Sequence, residues 1–235
     1  RVFSNYGIIL RSEGKLIEAE SFTRKAIKLK PDFADAYSNL GNILEDLRKY
    51  KEAEISYRKA IKLNQNFINA HLNLGNILKG LGKLKEAEIS YRKATELKPN
   101  FIGAHLNLGD ILKDLRQWEE AEISYRKATE LKPGLAEAHL NLGNILQNLG
   151  KWKEAESSTR RTIKLNPNSA EAHLNLGNIL QNLGNFKEAE NSYRKATELK
   201  PDFIEAYLVY AVFLQNLGKL KDAELLSRKL IKLCP

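Results

Sequence analysis

One spacing, 34 residues, recurs along the whole of this 235-residue chain. It separates successive members of a glycine series, an alanine series and a proline series, and Gln65 stands in the one vacant position of the proline series. A fixed period of this length indicates a small unit copied in tandem, in which each copy packs on its neighbours. The series are Gly7, Gly41, Gly75, Gly109, Gly143 and Gly177; Ala19, Ala53, Ala87, Ala121, Ala155, Ala189 and Ala223; and Pro31, Pro99, Pro133, Pro167, Pro201 and Pro235.

The period predicts a single domain over residues 1–235, because no linker or change of composition interrupts it. Met is absent from the chain, so residue 1 is not a natural translation start. We therefore expect the chain to be a fragment of a longer protein. The predicted repeats are 1–33, 34–67, 68–101, 102–135, 136–169, 170–203 and 204–235.

Each repeat is predicted to form two helices. In the third repeat, the apolar residues of 68–81 fall on one helical stripe, and Gly82 suits the left-handed residue that commonly ends a helix. The second helix is expected over 84–97, and Pro99 closes it because proline cannot continue a helix. Neither helix can bury its stripe alone, so stacking of the pairs must supply the core.

The composition excludes two broad classes of protein. With 43% hydrophobic and 29% charged residues, the chain is not expected to be disordered. No apolar run approaches the roughly 18 residues of a transmembrane helix, so no membrane partner is expected. The one cysteine, Cys234, cannot form an internal disulfide, and we expect a soluble, cytoplasmic protein.

The repeated residues resemble the tetratricopeptide repeat family along the whole chain. The resemblance implies an all-α, right-handed superhelical solenoid of seven 34-residue helix–turn–helix repeats. In that family, the first helices line a concave groove, the second helices form the convex outside, and the fold serves as a scaffold that binds protein partners. In the third repeat the resemblance rests on Leu74, Gly75, Leu78, Ala87, Tyr91, Ala94 and Pro99.

Two columns of polar residues on the first helices form the candidate binding site. A side-chain amide offers both donors and an acceptor, so a ladder of amides can hold the N–H and C=O groups of an extended polypeptide. The resemblance to the family places both columns in the groove. The first column is Asn5, Asn39, Asn73, Asn107, Asn141 and Asn175, and the second column is Asn42, Asn76, Asp110, Asn144 and Asn178.

The first column is similar to the asparagine ladder in the repeat arm of O-GlcNAc transferases, which holds peptide backbones. The similarity stops at Val209, where the last repeat lacks the asparagine. Tetratricopeptide sequences favour asparagine at both positions whatever they bind, so the columns are also compatible with ordinary groove polarity. Both interpretations remain open at this stage.

Sites of other kinds find less support. His71, His105, His139 and His173 lie on neighbouring first helices, roughly 10 Å apart, which is too far for a shared metal ion. We expect them to fill the core. No motif for a cofactor, a catalytic nucleophile or a phosphate loop is present, so we predict neither a cofactor nor an enzyme activity. Leucine or serine occupies the position of the carboxylate-clamping lysine found in chaperone-binding members of the family.

The charge of +9 raises the question of nucleic acid, which basic proteins bind through phosphate contacts. The basic residues concentrate on second helices, for example at Arg58 and Arg92, whereas groove positions collect acids such as Asp35 and Glu171. We therefore expect a neutral to basic peptide as the partner and do not expect nucleic acid.

The sequence thus predicts a scaffold that binds an extended polypeptide segment in its groove. The alternative is a substrate-recruiting arm of a transferase whose catalytic domain lies outside these residues. The last repeat is unusually apolar, with Val209 and Val212 in place of both asparagines. We expect the chain to self-associate through this C-terminal repeat, because its apolar residues lack a polar cap.

Overall fold

The computed structural model describes residues 2–233, and this part of the chain contains fourteen α-helices and no strand. The helices are α1 (Val2–Ser12), α2 (Leu16–Leu29), α3 (Ala34–Asp46), α4 (Tyr50–Leu63), α5 (Ile68–Gly80), α6 (Leu84–Leu97), α7 (Ile102–Asp114), α8 (Trp118–Leu131), α9 (Ala136–Asn148), α10 (Trp152–Leu165), α11 (Ala170–Asn182), α12 (Phe186–Leu199), α13 (Ile204–Asn216) and α14 (Leu220–Leu233). Cys234 and Pro235 lie outside the described residues.

The helices follow the predicted repeats, two to each repeat. The third repeat consists of α5 and α6, whose bounds agree with the expected ranges to within one residue. The predicted all-α class and the helix–turn–helix repeats are therefore confirmed. Within the described residues, no helix is both long enough and apolar enough to cross a membrane.

The turn inside each repeat depends on one residue with a left-handed backbone. In the third repeat this residue is Gly82, with φ of 74°, as its sequence position predicts. The following amide closes the turn, since Lys83 N donates to Leu78 O at 2.8 Å. In the second and fourth repeats, Arg48 and Arg116 take the same conformation at φ of 58° and 59°, although only glycine adopts it without steric strain.

The chain divides into two compact units, Arg1–Gln117 and Trp118–Pro235. In the first unit, the second helix of each repeat packs on the first helix of the next: α2 on α3, α4 on α5 and α6 on α7. In the second unit, α8 packs on α9, α10 on α11 and α12 on α13 in the same way. Stacking of neighbours thus supplies the core in each unit, as the repeat pattern requires.

The cores combine small residues with large rings. Ala53 and Ala87 are completely buried on second helices, and so are the rings of Tyr57 and Tyr193. The alanines allow neighbouring helices to approach closely, and the tyrosine rings fill the space between the two helices of a repeat. This packing fixes the position and rotation of each first helix against its second helix. It therefore also fixes the positions of the two polar columns.

Candidate functional site

The asparagines of the first column lie on first helices, where Asn5 is exposed and those of the later repeats are half-buried. Each of the two units presents its own stretch of the surface that carries the columns, and we call this surface the first-helix face. Of the half-buried members, the first unit contains Asn39, Asn73 and Asn107, and the second unit contains Asn141 and Asn175.

Hydrogen bonds join the two columns across neighbouring repeats. Asn73 Nδ2 donates to Asn42 Oδ1 at 2.8 Å. This bond connects a first-column amide to the second-column oxygen of the preceding repeat. The same bond recurs from Asn107 to Asn76 at 3.1 Å and from Asn175 to Asn144 at 2.6 Å. The two columns are therefore joined by separate amide pairs across neighbouring repeats and are not two independent rows of amides.

A buried tyrosine of the second helix adds a hydrogen bond to these pairs. Tyr57 OH donates to Asn42 Oδ1 at 2.7 Å, and Tyr91 OH donates to Asn76 Oδ1 at 2.8 Å. The oxygens of Asn42 and Asn76 consequently accept two hydrogen bonds each, one from a tyrosine and one from the next repeat. Two bonds use both lone pairs of an amide oxygen, so these oxygens are fully occupied inside the protein.

The tyrosine hydroxyls remain donors because they do not ionise under ordinary conditions. Burial raises the pKa of Tyr57, and the nearby carboxylate of Glu45 raises it further. Burial also raises the pKa of Tyr91 and of Tyr193. This role of the tyrosines was not predicted from the sequence. Each tyrosine stands 15 residues after its asparagine, so the pairing is visible as a spacing.

The first-column amides keep part of their hydrogen-bonding capacity. Asn73 uses one N–H in its bond to Asn42, and within residues 2–233 no group donates to its Oδ1. The same holds for Asn107 and Asn175. The bond at Nδ2 fixes the orientation of each amide, which leaves an oxygen acceptor for an outside partner.

The first repeat departs from this pattern. Its second-column position is occupied by Ile8, and Asn39 Nδ2 donates to Ser4 Oγ at 3.0 Å instead. Thr23 replaces the tyrosine, and its buried hydroxyl has no hydrogen-bond partner in the described part of the chain. Ser4 thus gives Asn39 a polar partner from the first repeat, but this repeat has no tyrosine that bonds to a second-column asparagine.

On the first-helix face, most charged residues that are not in an ion pair are acidic. Arg11 pairs with Asp46 at 2.5 Å, and Lys79 pairs with Asp114 at 3.2 Å. These pairs neutralise cations that would oppose a basic ligand. Five acidic residues of the first helices make no ion pair among the described residues: Asp35, Glu45, Glu137, Glu171 and Glu205.

The asparagine columns end at an apolar recess in the second unit. A cavity of about 360 Å³ lies between α11 and α13, with Asn178 and Gln181 on one side and Val209, Val212 and Phe213 on the other. Tyr193 OH still donates to Asn178 Oδ1 at 2.9 Å. Because Val209 cannot donate, the oxygen of Asn178 lacks the bond from the next repeat that Asn42, Asn76 and Asn144 accept.

The histidines have a structural role that differs in part from the expected one. His71 Nε2 donates to the carbonyl of Gln65 at 2.9 Å, and His105 Nε2 donates to the carbonyl of Pro99 at 2.8 Å. His139 and His173 make the equivalent bonds to Pro133 and Pro167.

Only His71 is buried, and the other three histidines are half-buried. Burial lowers the pKa of His173 against the opposing effect of its hydrogen bond. Within the described residues, no three His, Cys, Asp or Glu side chains are grouped as metal ligands would be.

Ion pairs connect the second helices within each unit. Glu54 accepts hydrogen bonds from Arg58 on its own helix at 3.0 Å and from Lys83 of the next repeat at 2.9 Å. Burial alone would raise the pKa of Glu54, but the bonds from Lys83 and Arg58 outweigh it and lower the pKa. Glu20 and Glu122 share both the arrangement and the lowered pKa.

Comparisons with known proteins agree with this architecture. A model of the tetratricopeptide repeat matches residues 34–67, 68–101, 136–169 and 170–203. Two related repeat models match residues 109–150 and 1–33. The chain belongs to the tetratricopeptide repeat family. No curated protein matches it significantly.

Several solved structures are similar to this tetratricopeptide repeat chain. YrrB, a tetratricopeptide repeat protein with an unusual peptide-binding site, is 27% identical, with a TM-score of 0.74 over 80% of this chain and 96% of YrrB. A MamA structure is 26% identical, with a TM-score of 0.64 over 68% of this chain and 94% of MamA. PilF of Pseudomonas aeruginosa is 19% identical and shares the fold, with a TM-score of 0.71 over 92% and 96% of the two chains.

Proposed function

We propose that this tetratricopeptide repeat chain is a non-catalytic scaffold that binds an extended polypeptide on its first-helix face. The observation that carries the proposal is the fixed orientation of the first column. Asn73 and Asn107 are each held at Nδ2 by a second-column oxygen, so their own oxygens point away from that bond. An oriented row of acceptors suits the N–H groups of an extended backbone.

The second column has a different role in this proposal. The oxygens of Asn42 and Asn76 are occupied by a tyrosine and by the next repeat. They therefore position the first column and do not contact the peptide through oxygen. Asp110, Asn144 and Asn178 are assigned the same supporting position by their place in the repeat. The first column, represented by Asn39, Asn73, Asn107, Asn141 and Asn175, makes the backbone contacts.

The partner is proposed to be a neutral to basic peptide. Acidic residues such as Glu171 and Glu205 make no ion pair within the described part of the chain, whereas Arg11 and Lys79 are neutralised by aspartates. The apolar recess at Val209 and Phe213 gives a place for one large apolar side chain next to the end of the amide row. The peptide-binding site of YrrB, the similar protein of known structure, supports a peptide as ligand class.

A selection experiment tests the proposal. Phage-displayed random peptides are selected on the whole chain, and the selected peptide is labelled and titrated by fluorescence anisotropy. Replacing Asn73, Asn107, Asn141 and Asn175 with alanine is expected to weaken binding at least about tenfold, since each lost hydrogen bond contributes about 1 kcal/mol. The matched control is Asn148→Ala, because Asn148 Nδ2 bonds only to the carbonyl of Asn144 in its own helix.

Methylation of the peptide backbone tests the atoms involved. A peptide N-methylated at alternate residues lacks the N–H groups that the asparagine oxygens are proposed to accept. It is expected to bind the unmodified chain weakly and to show no further loss with the alanine variant, because both changes remove the same bonds. Full binding by the alanine variant would refute the proposed role of the first column.

A further inference from the structure

The outer surface formed by the second helices carries a recess that the proposed function does not use. In the first unit it is a cavity of about 710 Å³ between α4, α5 and α6. Its floor is formed by Leu74, which is 4% exposed, and by the half-buried Ile61. Arg58, Lys62 and Lys93 surround the opening. We call this recess the first outer cleft.

The second unit contains the same recess three repeats later. This second outer cleft, of about 570 Å³, lies between α10, α11 and α12. Every residue just named recurs in kind: the floor consists of Ile163 and Leu176, and the rim consists of Arg160, Lys164 and Lys195. The same residue types therefore form the recess in both units.

A two-residue difference between repeats determines the character of this surface. The second and fifth repeats have Ile61-Lys62 and Ile163-Lys164, whereas the third has Thr95-Glu96 at the same place. Thr95 Oγ1 donates to a carbonyl of its own helix, and Glu96 pairs with Lys93 at 2.8 Å. In the Thr-Glu form, the threonine hydroxyl bonds to its own helix and the glutamate neutralises a lysine. Glu96 does this at the edge of the first outer cleft, which it also lines. The Thr-Glu form recurs as Thr129-Glu130 and Thr197-Glu198.

The Ile-Lys form has the opposite effect on charge and polarity. Ile61 adds an apolar floor, and Lys62 adds a cation to the rim. Within residues 2–233, neither Lys62 nor Lys164 makes an ion pair. Long lysine side chains at the edge of an apolar recess place their charged ends in water, where an anionic partner can reach them.

We propose that the two outer clefts bind an acidic polypeptide segment that inserts one apolar side chain beside the unpaired lysine of each cleft. The other rim cations, such as Arg58 and Lys93, are already ion-paired with glutamates. Charge complementarity sets the partner: unpaired Lys62 and Lys164 favour carboxylates, and the volume of each cleft accommodates a leucine or phenylalanine with its flanking backbone. The ligand is opposite in charge to the neutral to basic peptide proposed for the first-helix face. The two faces thus select different partners.

The recessed floor favours a polypeptide over a membrane. A bilayer takes up apolar side chains that project from the protein, whereas Leu74 and Leu176 lie at the bottom of the clefts with 4% and 6% of their surface exposed. Ile89 projects beside the first cleft, but the equivalent residue at the second is Asn191. A projecting apolar residue is therefore not common to the two clefts.

The test uses the whole chain and a defined probe. The probe is a fluorescein-labelled peptide with a Leu-Leu centre between runs of glutamate, and its binding is measured by fluorescence anisotropy. The cleft variant combines Ile61→Thr, Lys62→Glu, Ile163→Thr and Lys164→Glu, which introduces the Thr-Glu form that the chain already contains in other repeats. We expect at least about tenfold weaker binding by this variant.

Two control variants distinguish binding in the clefts from a general effect of net charge and from binding on the first-helix face. Lys51→Glu with Lys153→Glu makes the same change of net charge at exposed lysines of second helices that do not line the clefts, and it should bind the probe almost as well as the unmodified chain. The alanine variant of the first column should bind the probe unchanged. A probe with a Ser-Ser centre, or with glutamine in place of glutamate, should bind weakly.

Several results would overturn the proposal. They are no binding of the probe, an equal loss with the Lys51→Glu and Lys153→Glu variant, or a loss with the first-column variant. Binding to phosphatidylserine vesicles that depends on the clefts, without binding of the peptide, would assign the surface to a membrane instead. Circular dichroism of each variant verifies that the helices are intact.

Discussion

The ring of Tyr91 lies directly against the backbone of Gly75. A Cβ atom added at Gly75 would lie 2.5 Å from Cε1 of that ring, closer than two nonbonded carbon atoms can approach. The same relationship holds between Gly41 and Tyr57. The glycine allows the tyrosine to cross the first helix and reach the second-column asparagine, so packing and the hydrogen-bond network depend on one contact.

The first prediction concerns this contact. Gly75→Ala should destabilise the chain by about 2 kcal/mol, because a methyl group forces the ring or the helix to move. Urea unfolding followed by circular dichroism measures the change. Gly80→Ala is the control in the same helix: no atom lies within 4 Å of its Cβ position, and alanine is the better helix former, so stability should rise slightly. Equal effects of both substitutions would contradict the packing argument.

The second prediction concerns a missing ion pair. Gln117 stands where Lys49, Lys83 and Lys151 bond to a glutamate of the preceding repeat. Its Oε1 is buried without a hydrogen-bond partner in the described residues. Gln117→Lys should stabilise the chain by about 1 kcal/mol, because it removes an unsatisfied oxygen and supplies a donor to Glu88.

The control for this substitution is Gln117→Met, which removes the oxygen without adding a charge. It should give a smaller gain in the midpoint of urea unfolding than Gln117→Lys. Adding Glu88→Gln to Gln117→Lys should remove the extra stability that Gln117→Lys has over Gln117→Met. A destabilised Gln117→Lys variant would show that the lysine does not reach Glu88.

The third prediction concerns pH. The pKa values of Glu20, Glu54 and Glu122 are lowered from 4.5 in the folded chain, so the unfolded chain binds more protons in this range. The stabilisation that these residues provide is complete above the unfolded pKa and is lost as the pH falls through the folded pKa. The contribution of these three residues to the free energy of unfolding, measured with urea, should therefore be level from pH 7 to about 5.5 and should fall below about 4.5.

A variant isolates these three carboxylates from the others. Replacing Glu20, Glu54 and Glu122 with glutamine should reduce the stability difference between pH 7 and acidic pH. An identical pH dependence in the variant and the unmodified chain would show that other acidic groups cause the acid loss.

The fourth prediction concerns self-association through the last repeat. Leu220, Leu225 and Ile231 of α14 are 65%, 58% and 69% exposed, and apolar groups this exposed favour association. Sedimentation equilibrium should show association that rises with protein concentration. Leu225→Glu with Ile231→Glu should abolish it, whereas Ile17→Glu, at an isoleucine of α2 that is 68% exposed, should leave it unchanged. A monomer at every concentration would contradict this expectation.

Residue type and spacing are sufficient to specify the fold class and the bounds of the helices. The 34-residue period, the glycine at position 82 and the small residues such as Ala87 act through local sterics and neighbour packing, which follow from residue type and spacing. The positions of both asparagine columns on the first helices also follow from helical periodicity. The left-handed Arg48 was not predictable, because arginine has no preference for that conformation and the surrounding turn imposes it.

Which atoms of the polar columns are occupied depends on how the repeats pack and cannot be read from the sequence. Asn73 bonds to Asn42, which is 31 residues earlier and on another helix, and Asn42 also accepts from Tyr57. Such bonds require donor and acceptor within about 3 Å, a distance set by how closely the repeats stack. The outer clefts have the same origin, since Ile61 and Leu74 meet only when neighbouring repeats pack together. Residue type supplies the chemical groups, and packing decides which of them remain available to a partner.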